Sequence, residues 1–274
     1  VDSSGGTTNT YQNTVVDPSN GKLIFTALNT TKTFTIGGKT YSVTNIGASG
    51  TGTASNELTY YYNANTDTVT ISGDNFTVTS QNVENKLNIR GSNNSVTGGA
   101  LNDTIKIESG SNNVINGGAG NDTITMESEE NEIDAGSGND NIILNAGTTK
   151  QVKSGSGTNT ITLNSNNNTN LNLTSGTNTV NGTSSGNTIT LGENSNKITL
   201  TGSGNTITGG SGNNKVTIWG ANSNVTLEDG NNTVQIEGAN SNVITGDGDS
   251  IVKVWGQDST IVAGDGNMNL LLSG

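Results

Sequence analysis

Aliphatic side chains recur every nine residues along most of this chain, and that period constrains its fold more than any other feature. Counted back from the C-terminal end, the longest series occupies Leu270, Ile261, Val252, Val243, Val234, Val225, Val216, Ile207, Ile198, Ile189, Val180 and Leu171. After single-residue shifts of phase it continues through Ile161, Val152, Ile142, Ile133, Ile124, Val114, Ile105, Val96, Leu87, Val78 and Val69. A fixed repeat of this kind is typical of solenoids, in which each repeat packs only on its neighbours.

Each nine-residue unit has the pattern of a short strand followed by a turn. Residues 205–210 (Asn-Thr-Ile-Thr-Gly-Gly) alternate polar and apolar before two glycines, and the 39 glycines in 274 residues oppose helix. Val216 and Val234 each have a second apolar residue two positions later, whereas the units between them mostly lack one. We therefore expect an all-β, parallel β-solenoid (a β-roll or β-helix) with 18-residue coils, about eleven of them over residues 66–274.

Residues 1–65 lack the nine-residue period. Residues 1–20 are rich in Ser, Thr and Asn and predict a tail, whereas 23–28, 33–36, 41–43 and 58–62 are alternating or aromatic β segments. A β-rich cap that covers the first coil explains them, because an open solenoid end exposes its core. A second interpretation is an aromatic patch that binds carbohydrate, since the three Phe and Tyr60–Tyr62 all lie before residue 80.

No comparable segment follows the last repeats, which still show the pattern at residues 269–274. We expect the chain to be a fragment of a longer polypeptide, with an open C-terminal coil. An exposed strand edge favours pairing with another chain. The expected partners therefore include further copies of the protein, associated into fibres or layers.

Composition narrows the possible chemistry. The sequence has no Cys and no His, which excludes disulfides, thiol chemistry, imidazole bases and the usual zinc sites. The net charge of −12 disfavours nucleic acid and anionic membranes as partners, and no stretch approaches the ~20 apolar residues of a membrane span. These features fit an extracellular protein of a bacterial cell surface, with calcium as the cation that suits its acidity.

One segment carries a recognisable motif. Residues 117–125 read Gly-Gly-Ala-Gly-Asn-Asp-Thr-Ile-Thr, and 98–105 and 136–142 are related to them. They resemble the RTX (repeats-in-toxin, haemolysin-type) nonapeptide, Gly-Gly-x-Gly-x-Asp-x-aliphatic-x. The resemblance implies a parallel β-roll that binds about two Ca²⁺ ions through carboxylates and turn carbonyls on one side. The residues implied as metal-binding are Gly99, Asp103, Gly118, Gly120, Asp122, Gly136, Gly138 and Asp140.

Beyond residue 150, Asn mostly replaces the Asp of this motif, as at Asn213-Asn214. Asn keeps the turn geometry without the charge, so we expect a calcium-independent C-terminal half held by asparagine ladders and aliphatic stacking. Asp229, Asp247 and Asp265 are an exception at 18-residue spacing. They are either solvated carboxylates or weak metal sites, and the same alternatives apply to the acidic residues within 127–132.

These features predict a structural spacer or fibre-forming shaft of a secreted surface or matrix protein. The turns are too short to build a groove with paired carboxylates, so we expect no enzymatic activity. A ligand- or glycan-binding adhesin module is the alternative, in which Trp219 and Trp255 contact the ligand rather than shielding the core edge. Thr-x-Thr segments such as 188–190 suggest ice binding, but Lys197 and Lys215 interrupt that array.

Overall fold

A computed structural model describes residues 20–47, 56–145, 151–164 and 168–273. These residues form β-strands without any helix, in two sheets of 14 and 13 strands, and the predicted all-β parallel solenoid is confirmed. Of the predicted N-terminal tail, only Asn20 belongs to the described residues. Among those residues, no helix has the length and apolar character that crosses a bilayer.

The strands follow one another along the chain with short turns between them. They are β1 Asn20–Phe25, β2 Thr31–Ile36, β3 Lys39–Asn45, β4 Asn56–Asn63, β5 Thr68–Ser72, β6 Phe76–Ser80, β7 Lys86–Arg90, β8 Ser95–Gly99, β9 Thr104–Ser109, β10 Val114–Ala119, β11 Thr123–Met126, β12 Glu132–Ser137, β13 Asn141–Leu144, β14 Gln151–Lys153, β15 Thr158–Leu163, β16 Asn170–Leu173, β17 Thr177–Gly182, β18 Thr188–Leu191, β19 Lys197–Leu200, β20 Thr206–Gly209, β21 Lys215–Ile218, β22 Asn224–Leu227, β23 Thr233–Ile236, β24 Asn242–Thr245, β25 Ser250–Val254, β26 Thr260–Ala263 and β27 Met268–Leu272.

From β5 onward the chain winds as a regular coil. Odd-numbered strands stack in parallel in the 14-stranded sheet, and even-numbered strands from β6 stack in parallel in the other. Most coils contain 18 residues, as in the pairing of Lys197 with Lys215, and several contain 19, as in Thr104 with Thr123. About eleven coils at a strand spacing of ~4.8 Å give a rod on the order of 50 Å long.

The core is a thin layer between the inner faces of the two sheets. Val234 and Ile236 of β23 are fully buried, as are most of the predicted aliphatic positions. Leu270, in the outermost strand β27, is 39% exposed despite its pairing with Val252.

The prediction that Val114 lies in the core is wrong. Its side chain is 46% exposed, and the fully buried residue is Ile115, which pairs with Val96 and Ile133. The extra residue of this coil therefore lies before Ile115 rather than after Val114. Because side chains alternate between the faces of a strand, that single-residue offset exchanges inside and outside.

An aromatic cluster fills the N-terminal end of the core. Strands β1–β4 continue both sheets with antiparallel pairings, β1 on β4 and β2 on β3, before parallel stacking begins. Phe34 stacks on Tyr60 at 4.0 Å between ring centroids, and Phe25 lies 5.2 Å from Phe76. These rings and Tyr41 are buried, so they are unavailable to a carbohydrate, and only Tyr61 of the aromatic residues near them is half exposed.

The inward position of Val234 can be tested by charge substitution. Val234→Asp would bury a carboxylate between two sheets, and we expect it to lower the free energy of unfolding by about 3–5 kcal/mol. Thr233→Asp is the matched control, because that outward side chain neighbours Lys215 in register and should change stability by less than about 0.5 kcal/mol. Thermal denaturation of both variants would show the difference; equal effects would contradict the assigned faces.

Candidate metal centre

A column of buried polar residues runs along one edge of the solenoid, where the chain passes from the 13-stranded to the 14-stranded sheet. We name this column the inner ladder; its members are Asn85, Asp103, Asp122, Asp140, Asn159, Asn178, Asn196, Asn214, Asn232 and Ser250. In most coils the side-chain oxygen accepts a hydrogen bond from the backbone N–H of the member in the preceding coil. The N–H of Asn178 donates to Oδ1 of Asn196 at 2.9 Å, and the N–H of Asp103 donates to Oδ1 of Asp122 at 2.8 Å.

Most asparagines of this ladder satisfy both of their polar atoms; the exception is Oδ1 of Asn85, the first member, which has no partner. Oδ1 accepts from the preceding coil, and Nδ2 donates to carbonyl oxygens of its own turn. Nδ2 of Asn214 lies 2.8 Å from the carbonyl oxygen of Gly212 and 3.3 Å from that of Gly210. The amide therefore joins neighbouring coils and also closes its own turn.

The three aspartates keep only half of this arrangement. Oδ1 of Asp140 accepts the N–H of Asp122 at 2.8 Å, as an asparagine would. Oδ2 is buried and has no hydrogen-bond partner in Asp103, Asp122 or Asp140. An ionised carboxylate oxygen has no proton to donate, so it cannot close its own turn as Nδ2 of Asn214 does. Buried acceptors without a donor are costly unless a proton or a cation lies between them.

Glycine at the end of the preceding strand makes room for this oxygen. The point where a side chain on Gly117 would place its Cβ lies 2.5 Å from Oδ2 of Asp122 and 2.5 Å from the carbonyl oxygen of Ala135. Gly98 has the same relation to Asp103. In the coil of Asp140 the equivalent residue is Ala135, as the register of β10 on β12 shows. Asp103 and Asp122 therefore each lie beside a glycine, whereas Asp140 has an alanine at that position.

Two glycines in the motif turns are required by close stacking. Gly118 has φ of +107°, and a Cβ there would lie 1.9 Å from the carbonyl oxygen of Gly99 in the preceding coil. Gly138 has φ of +136°, and its Cβ would lie 1.8 Å from the carbonyl oxygen of Gly120. Backbone carbonyls thus approach the next turn directly, which no residue with a side chain permits.

Burial is the largest reason that the pKa of the Asp122 carboxyl is raised to about 6. The charges of Asp140 and Asp103 act in the same direction, whereas the backbone N–H of Asp103 lowers it. Burial also raises the pKa of Asp103 and Asp140. The uncharged form of these carboxyls is therefore favoured in mild acid, and a nearby positive charge would favour the charged form at neutral pH.

The residues here supply oxygen atoms of the kind that a hard cation binds, but they do not form a cluster of carboxylates. No group of three or more acidic side chains converges within the part of the chain that the structure describes. Three coils have one buried carboxylate each, beside Gly-rich turns. Carboxylate and carbonyl oxygens are the atom types that calcium binds, in loose geometry, so the residue types present are compatible with that ion.

Among the described residues, the opposite edge has no equivalent buried carboxylates. Its buried ladder contains Asn94, Asn113 and Asn131, and Nδ2 of Asn131 donates to the carbonyl oxygen of Glu129 at 2.8 Å. In the acidic segment 127–132, Glu127 contacts Lys106 at 3.5 Å and accepts from Asn145 at 3.0 Å. The candidate metal centre is therefore one-sided.

Asp229, Asp247 and Asp265 also stack, but at the surface of the turns. Oδ1 of Asp229 accepts the N–H of Asp247 at 2.9 Å, and Oδ1 of Asp247 accepts that of Asp265 at 2.7 Å. All three residues are exposed, so solvent screens their charges. Their stacking has a structural explanation that needs no metal.

Trp219 and Trp255 begin equivalent turns two coils apart on the opposite edge, with Glu237 between them. Trp219 is 43% exposed, and Trp255 is partly buried. Their backbone N–H groups continue the strand ladder, to the carbonyl oxygens of Leu200 and Ile236. The two indoles are separated by a complete coil, so they do not form one continuous aromatic surface.

No protein-family model, curated protein or solved structure matches this chain. The likeness to RTX repeats therefore stays an expectation drawn from residues 98–142.

Sequence reasoning missed that Asp140 and Asn159 are successive members of one ladder. The spacing of 19 residues between them, with similar spacing to Asn178, is the signal that identifies it.

We predict that Asp122→Asn stabilises the protein in a chelator at pH 7.5. The amide removes a buried charge and replaces an acceptor without a partner by a donor, which should add about 1–3 kcal/mol to the free energy of unfolding. The wild type should gain stability on calcium addition, and the variant should gain less. Asn232→Asp is the control: it adds the same charge to the ladder, but the residue equivalent to Gly117 is the buried Leu227 and the turn lacks the motif, so calcium should not restore its stability. Melting curves of the three proteins with and without calcium measure these responses, and identical calcium responses in wild type and Asp122→Asn would refute the site.

The raised pKa of Asp122 predicts a pH dependence in metal-free buffer. The folded protein holds this proton up to a pH of about 6, whereas the unfolded chain loses it near 3.8. The uncharged Asp122 carboxyl therefore contributes most to the free energy of unfolding below about pH 4, and this contribution is lost as the pH rises through 6. Between pH 4 and 7 the melting temperature of the wild type should fall relative to that of Asp122→Asn. A constant difference over that range would contradict the assignment.

Proposed function

We propose that this protein is a non-enzymatic structural shaft of a secreted bacterial surface or matrix protein, with calcium stabilising the coils around residues 98–143. The observation that carries the proposal is the continuous, in-register stacking of parallel strands from β5 to β27. Each coil contacts its neighbours through both sheets and a buried side-chain ladder. Such a structure holds its two ends at a fixed separation, which is the property required of a spacer.

In this proposal calcium stabilises only the coils that carry the motif. Asp103 and Asp122 would supply Oδ2 atoms, and the turns around Gly99, Gly118 and Gly120 would supply carbonyl oxygens. In the C-terminal coils the Nδ2 group of asparagine already provides the positive end of a hydrogen bond at this position. We therefore expect calcium to affect the motif coils and to leave the asparagine coils unchanged. Extracellular calcium modules bind at about 10⁻⁴–10⁻³ M, which suits a site with few carboxylates.

The regular turns support a structural role over a catalytic one. In the described C-terminal coils, turns such as 201–205 and 228–232 connect successive strands with five residues. Turns of this length do not project far enough to form the walls of a cleft. The aspartates of the inner ladder are buried against backbone and not directed into a groove.

A spacer should tolerate the loss of one whole coil. Deletion of residues 197–214 removes β19 and β20 and joins Asn196 to Lys215, the residue in register with Lys197. We expect the shortened protein to keep its fold, with a rod about 5 Å shorter in solution scattering. Deletion of residues 206–214 is the control, because half a coil transfers every later strand to the wrong sheet and should unfold the C-terminal part. If both deletions are equally destructive, the modular shaft is wrong.

Hydrogen exchange tests the local role of calcium in the same protein. Removing calcium should speed amide exchange in residues 95–145 and leave residues 188–254 unchanged, because solenoid coils depend chiefly on their neighbours. Loss of protection along the whole rod, or no change anywhere, would contradict a locally stabilised shaft.

A further inference from the structure

A polar groove of about 910 Å³ lies on the outer face of the 14-stranded sheet, where the N-terminal strands join the solenoid. Strands β1, β4, β5 and β7 cross its floor, and Lys22, Thr59, Ser72 and Arg90 follow one another in register across them. The long side chains of Lys22 and Arg90 thus lie on either side of two short ones. Three strand spacings separate the borders by about 14 Å.

Tyr61 gives this groove an aromatic surface. Its neighbours in register are Asn20 and Thr70, and its side chain is 51% exposed. Tyr60, the preceding residue, is buried in the core of the cap. The ring of Tyr61 stacks on no other ring among the described residues, so its exposure has no explanation in core packing.

Arg90 is held in place at the opposite border. Its Nε donates to Oε2 of Glu108 at 2.6 Å, which orients the guanidinium plane. The terminal amino groups of Arg90 donate to no other side chain or backbone oxygen in the described part of the chain. Lys22 forms an ion pair with Glu57, and neither of these glutamates lines the groove.

The remaining lining is made of hydroxyl and amide groups, including Thr59, Thr70, Ser72 and Asn88. An aromatic face accepts the apolar face of a sugar ring, hydroxyls and amides hydrogen-bond to its hydroxyls, and a guanidinium fork binds a carboxylate. The volume falls within the range of about 300–1,000 Å³ that is usual for ligand pockets. A densely charged polyanion fits less well, because Lys22 is paired with Glu57, Nε of Arg90 is paired with Glu108, and the net charge is −12. The terminal amino groups of Arg90 are left for a single carboxylate.

We propose that this groove binds a short acidic oligosaccharide, with a hexuronate carboxylate on Arg90 and a sugar ring on Tyr61. The inference goes beyond the proposed shaft and is independent of it. The groove lies outside the coils of Asp103–Asp140, and the deletion of residues 197–214 does not touch it.

Calorimetric titration of the full chain with a trigalacturonate tests the proposal. We expect Tyr61→Ala and Arg90→Gln each to weaken binding at least 10-fold, and Tyr61→Phe to bind within about threefold of the wild type, because the ring is kept. Lys197→Gln is the control, since it removes a cation from the same sheet face far from the groove and should leave affinity unchanged. Melting curves should show that Tyr61→Ala folds, as its side chain is half exposed.

Three results would overturn the assignment. The first is no binding of trigalacturonate by the wild type at millimolar concentration. The second is equal affinity for a neutral galactose trisaccharide, which would remove the role of the carboxylate. The third is equal weakening in Lys197→Gln and Arg90→Gln, which would indicate general charge attraction and no defined site.

Discussion

The hydrogen bond from a backbone N–H to a side-chain oxygen of the next coil is the interaction on which this structure depends. Every turn of a solenoid leaves backbone donors that no strand pairing satisfies, and burying them unpaired is costly. The inner ladder supplies an acceptor for most of these donors from Asn85 to Ser250. It thereby fixes the start of each strand and keeps successive coils in register.

The same position accounts for the difference between the two halves of the rod. An asparagine supplies both an acceptor for the preceding coil and a donor for its own turn. An aspartate supplies the first and leaves a buried oxygen without a hydrogen-bond partner, as at Asp122. We therefore expect the asparagine coils to be indifferent to calcium and the aspartate coils to be stabilised by a proton or a cation.

The period of nine and the alternation of apolar residues were sufficient to predict the fold, because burial on a two-sided coil permits little else. They did not locate single-residue insertions, and so Val114 was placed where Ile115 lies. The stacking of Asp103, Asp122 and Asp140 followed from their spacing. The unpartnered Oδ2 atoms and the different role of Ala135 depend on side-chain direction, which a periodic pattern does not specify. The groove at Tyr61 and Arg90 likewise joins residues from four strands that are distant in sequence.

Carboxyl carbon NMR of Asp103, Asp122 and Asp140 tests the central claim most directly, since it observes the atoms concerned. In a chelator the Asp122 signal should titrate near pH 6, because its buried charge is uncompensated. Calcium at millimolar concentration should shift that signal at pH 7 and move the titration to lower pH, as a bound cation favours the charged form. Titration near pH 3.8 that calcium does not change would show that these carboxylates are ordinary solvated groups, and the account of the inner ladder would be wrong.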